Sequence, residues 1–80
     1  MAEVIHTFAS PVRGSDGTSY NVRAFATPDK NVWTGYLEFT GGGRTLRTGE
    51  ETSQPDRDAV AYWASGLEAV YLEGALGRAR

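Results

Sequence analysis

Between two clusters of turn residues runs Val32-Trp33-Thr34-Gly35-Tyr36-Leu37-Glu38-Phe39-Thr40. Aromatic and β-branched residues with a period of two fit a strand and nothing helical. Trp33, Leu37 and Phe39 share one face, with Gly35 between them. Thr34, Tyr36, Glu38 and Thr40 share the other. One apolar face and one polar face describe a half-buried strand of an antiparallel sheet. Pro28-Asp29-Lys30-Asn31 precedes it as a turn and Gly41-Gly42-Gly43 follows as a hairpin link. Its expected neighbours are Tyr20 to Thr27, with Tyr20, Val22, Ala24 and Ala26 inward and Arg23 and Phe25 outward, and Arg44 to Thr48, with Leu46 inward. A further strand spans Val4 to Ala9. It stops at Pro11 and leads into a turn signalled by Asp16-Gly17.

The rest of the chain reads as a helix from about Pro55 to about Ala79. Ser53 is the expected N-cap, with Asp56 in the capping-box position and Pro55 in the first turn. Asp56 and Asp58 suit the positive end, Arg78 and Arg80 the negative one. The fold class is therefore α+β: one domain over residues 1–80, a four-stranded antiparallel sheet followed by one long C-terminal helix packed on one sheet face. Along a continuous helix, Val60, Trp63, Leu67, Val70, Tyr71 and Gly74 fall on one side and should meet the sheet. Tyr62, Ala69, Leu72 and Leu76 fall nearly opposite. A spare apolar stripe of this kind marks an interface, here a homodimer joined through helices. Gly66 is the point where the helix either continues, kinks or splits.

Size gives the dimer a second motive. Eighty residues without a cysteine have no disulfide or thiolate–metal support. Such a chain buries roughly 60% of its unfolded surface, and association is the remaining source of stability. The net charge of −2 argues against a strongly basic nucleic-acid binder but leaves room for a local basic face. No segment approaches a membrane span, and the N-terminus has no secretory pattern. The expectation is a soluble, cytoplasmic, non-membrane protein. Its cations are arginine except Lys30, and with abundant Ala and Gly they suggest a bacterial or phage source.

Catalytic chemistry has little to stand on. The single histidine, His6, has no partner nearby in sequence, and the acidic cluster Glu50, Glu51, Asp56 and Asp58 has neither metal-loop nor paired-carboxylate spacing. Helix capping accounts for the latter. Gly41-Gly42-Gly43 lacks the Lys and Ser/Thr of a phosphate loop. No enzyme, cofactor or metal is expected. The outward sheet face carries Arg23, Phe25, Thr34, Tyr36, Thr45 and Arg47. Arginines interleaved with aromatics suit stacking of unpaired bases beside phosphates. Ordinary cross-strand pairing gives the same pattern.

Four strands and then a long helix resemble the PUR repeat and, more loosely, the Whirly-type single-strand-binding fold. The likeness runs from Val32 to about Leu76: the aromatic-aliphatic strand, the Gly-rich hairpin, the Arg44-Thr45-Leu46-Arg47 strand and an aromatic-bearing helix. The resemblance implies paired units joined largely by their helices and sheet residues that contact single-stranded DNA or RNA. The residues to examine are then Arg23, Phe25, Tyr36 and Arg47. The alternative is a protein-interaction module that uses the helix or the acidic loop before it, with a protein partner.

Overall fold

The computed structural model describes all residues, Met1–Arg80. Six strands precede two helices: β1 Glu3–Thr7, β2 Val12–Arg13, β3 Ser19–Asp29, β4 Val32–Gly41, β5 Arg44–Arg47, β6 Thr52–Gln54, α1 Arg57–Ser65 and α2 Ala69–Arg78. All pairings are antiparallel. β3 and β4 form the centre, β1 and β2 both pair with β3, and β5 and β6 both pair with β4.

The expected four strands are thus corrected to six, because each edge of the sheet is broken. On one side a register shift between Val4 and His6, then Pro11, interrupts the ladder. On the other the chain bends at Gly49 between β5 and β6. The central hairpin is tighter than the sequence suggests. Pro28 and Asp29 still belong to β3, and only Lys30-Asn31 turns, with Lys30 at φ 59°. The next hairpin turns on Gly42 and Gly43, at φ 58° and 76°, between the paired Gly41 and Arg44. Two successive positive φ values are what a type I′ hairpin turn demands and what glycine supplies.

Alternation along β3 and β4 decides the core. Tyr20, Val22, Ala24, Ala26, Leu37 and Phe39 are buried on one face. α1 covers this face with Val60 and Ala64, and α2 adds Leu72 and Ala75. Gly35 makes the fit possible. A Cβ there would lie 2.8 Å from Val60 Cγ1 and 2.9 Å from Thr52 Cγ2, so α1 rests directly on the β4 backbone.

The single long helix is likewise corrected to two. Asp56, not Ser53, is the N-cap of α1. Its Oδ1 accepts from the Ala59 amide at 2.8 Å, while Ser53 lies in β6. α1 ends at Gly66, and Glu68 opens α2 without a side-chain cap. The break shifts the phase of the residues after it, although Tyr71 still packs against the core and Ala69 is still exposed. Leu72 is 4% exposed and Leu76 packs against the core, whereas Val70, expected inward, is 74% exposed. The stripe Tyr62, Ala69, Leu72 and Leu76 does not exist as one outward surface. Tyr62 and Ala69 are exposed, Leu76 is half-buried and Leu72 is buried. No helix is long and apolar enough to cross a membrane.

Candidate binding face of the sheet

The helices cover one face of the sheet; the opposite face has no helix on it. The register brings all four expected side chains together there. Arg23 pairs with Glu38 across β3 and β4, Glu38 pairs with Arg47 across β4 and β5, and Phe25 faces Tyr36 one pair further along. Period-two alternation puts these positions on the same side, and two tight hairpins fix which rows meet.

Glu38 holds the centre. It is 3% exposed although it lies on the outer face, because the two arginines fold over it. Arg23 donates from Nε at 3.1 Å, and from Nη2, to Oε1. Arg47 donates from Nε at 3.2 Å to Oε2 and places Nη2 at 3.2 Å from the same oxygen. Burial pushes the Glu38 carboxyl up, but the hydrogen bonds and charges of Arg23 and Arg47 outweigh it, and the group ends below its ordinary value. Two guanidiniums against one carboxylate leave the row a single net positive charge.

Beside this row lies the aromatic pair. Phe25 and Tyr36 stack with centroids 5.1 Å apart and planes 5° from parallel. The Arg23 guanidinium sits over the Phe25 ring at 5.1 Å, so the charged row and the aromatic row are one contiguous patch. Hydroxyl-bearing residues complete the rows. Thr27, Thr34 and Ser53 lie in register on one side of the patch, and Thr40 and Thr45 pair on the other.

The strand period points to Arg23, Phe25, Tyr36 and Arg47, but not to Glu38 as their partner. Its outward position was readable, but its role as the shared partner of both arginines follows only from the register on both sides of β4.

The other candidates are spread over the molecule. His6 lies in β1 with its ring edge-on to Phe8 at 4.5 Å. In the acidic segment, Asp56 caps α1, Asp58 lies 3.6 Å from Arg57, and Glu50 is exposed. Glu51 does something else. It accepts from the Tyr71 hydroxyl and from Arg78 Nε at 3.2 Å and Nη2 at 2.6 Å, fastening α2 to the strand connection. Arg78 holds its carboxyl below the ordinary value against the opposing effect of burial. No three metal-ligating side chains come together anywhere in the chain. No known protein family, curated protein or solved structure matches the chain at a significant level.

Proposed function

We propose that the chain is a non-catalytic binding module whose open sheet face receives single-stranded DNA or RNA. The observation that carries this reading is the stacked Phe25–Tyr36 pair beside guanidiniums fixed by Glu38. Unpaired bases stack on aromatic rings, of which Phe25 and Tyr36 are half-buried here, and each arginine keeps donor N–H groups beyond those spent on Glu38. The surroundings favour this ligand over an apolar protein surface. The patch is bordered by hydroxyls, and Val4 is the aliphatic side chain opposite Phe25 in the β1 register. The two buried carboxylates, Glu38 and Glu51, are both paired with arginine and are poor candidates for proton transfer.

The local charge also sets the character of binding. Two partly committed guanidiniums should release few counterions, so the log–log salt slope on a single strand should be shallow, about −1.4. Fluorescence anisotropy with a labelled single-stranded oligonucleotide at low and moderate salt tests the idea. Tyr36→Ala should cost about 1–3 kcal/mol of binding, the worth of one stacking platform, and Arg47→Gln should flatten the salt slope. Absence of binding at low salt, or identical binding by both variants, overturns the proposal.

A second reading rests on the opposite side of the molecule. Tyr62 is 83% exposed on α1 and Val70 74% exposed on α2. This would make the helical layer a protein-contact surface. Tyr62→Glu would then abolish partner capture, or self-association by sedimentation, while leaving oligonucleotide binding intact.

A further inference from the structure

At one end of the sheet, away from the aromatic patch, the β2–β3 turn, the start of β5 and the last turns of α2 enclose a cleft of about 420 Å³. Its lining carries both signs in balance: Arg13 and Arg44 with Asp16 and Glu73. The Tyr20 ring and Leu76 supply apolar wall.

The hydrogen bonds at the cleft are incomplete in a directional way. Tyr20 is 2% exposed, yet its hydroxyl takes part in a single hydrogen bond, as acceptor from Arg44 Nη2 at 2.8 Å. Its own proton has no acceptor in the protein. Arg13 and Glu73 carry charges with no ion pair or hydrogen bond. Asp16 is only half used. Oδ1 accepts from the Thr18 amide at 2.9 Å, and Oδ2 stands 3.8 Å from Arg44. Exposed Arg13, the uncommitted N–H groups of Arg44 and the Tyr20 hydroxyl proton therefore share a cleft with exposed Glu73 and the second oxygen of Asp16.

We propose that this cleft binds a free amino acid. The carboxylate would take the guanidiniums and the Tyr20 hydroxyl, the ammonium would take Glu73 and Asp16, and an aliphatic or aromatic side chain would lie along Tyr20 and Leu76. A cleft that holds two guanidiniums and two carboxylates repels a simple anion or cation with one pair as it attracts it with the other. A zwitterion has a partner for both. The volume is at the small end of ordinary ligand sites and suits a molecule of this size.

The test is an amide NMR titration of the 80-residue chain with the standard amino acids, singly. Leucine is then compared with 4-methylpentanoate, which lacks the amine, and 3-methylbutylamine, which lacks the carboxylate. The expected result is a shift confined to residues 13–20, 44–46 and 73–77, saturating at about 1 mM or below for at least one amino acid and lost when either charge is removed. Arg13→Gln and Glu73→Gln break no ion pair or side-chain hydrogen bond within the protein, so both should stay folded, as tryptophan fluorescence will show. Each should weaken binding about tenfold, the worth of one hydrogen bond to a charged group. Silence from all the amino acids, equal binding by a one-charge analogue, or wild-type affinity in both variants overturns the proposal.

Discussion

The hydroxyl of Thr48 stands where a rung of the ladder is missing. Thr48 is 7% exposed, and it meets β4 as the edge breaks between β5 and β6. Its backbone amide still donates to the Leu37 carbonyl at 3.0 Å, while its Oγ1 accepts from the Leu37 amide at 3.0 Å and donates to the Gly49 carbonyl at 2.8 Å. Thr48→Val keeps the shape and removes the acceptor, leaving the Leu37 amide buried and unpaired. A loss of about 1–3 kcal/mol is expected in urea unfolding followed by tryptophan fluorescence; an unchanged midpoint would show that the amide finds another partner. At this scale much was legible from sequence. The outward placement of Arg23, Phe25, Tyr36, Glu38 and Arg47 needs only the period of a strand. The bond made by Thr48 was not legible, since a threonine at the end of a strand gives no sign that the strand will resume beyond a bend.

Among the elements, the sheet was easier to read than the helical layer, and the reason lies at Gly66. A helical wheel carries its phase forward without loss, so a break puts later assignments in error. Val60 and Trp63, before the break, face as the wheel predicts, while Val70 and Leu72, after it, are exchanged. Glycine itself does not impose the break. Gly66 adopts φ −96° and ψ 0°, open to any residue, and an added Cβ would approach nothing closer than 3.8 Å. The direction of α2 is set by burial of Leu72 and Ala75 and by the Glu51–Arg78 clasp. Gly66→Ala should therefore keep two helices and stabilise the protein by about 0.4–1 kcal/mol through the unfolded chain. Circular dichroism together with urea unfolding checks this. A gain in helix content with a loss of stability would mean that the glycine does enforce the break.

For the whole molecule, the controlling dimension is the length of the central hairpin. β3 has 11 residues, about 36 Å of extended chain, and the molecule measures 39 × 21 × 17 Å. A slab this thin buries only 15 of its 80 residues, so polar clasps weigh more than they would beneath a deeper core. Glu38 and Glu51 are both held below their ordinary pKa in the folded state. A carboxylate of this kind gives its full stabilisation above the unfolded value, about 4.3 for Glu, and loses it as pH falls through the lower folded value. The melting temperature should accordingly fall on acidification below that point. Glu51→Gln should remove part of the slope and Glu38→Gln another part. Thermal melts between neutral and strongly acidic pH decide it, and a flat profile would show that neither clasp matters to the fold.

The same broken edges that turned four expected strands into six also bear on how the protein behaves when crowded. An exposed strand edge is a template, and long regular edges recruit further copies into cross-β stacks. Here the two sides offer pieces of five, two, four and three residues, interrupted by a register shift, a proline and a bend. On the β5 side Arg80 already exchanges backbone hydrogen bonds with Arg47, at 2.9 and 3.0 Å. An incoming strand finds no run longer than β1 to align against, so the irregularity that spoils the ladder also leaves a further copy little edge to extend.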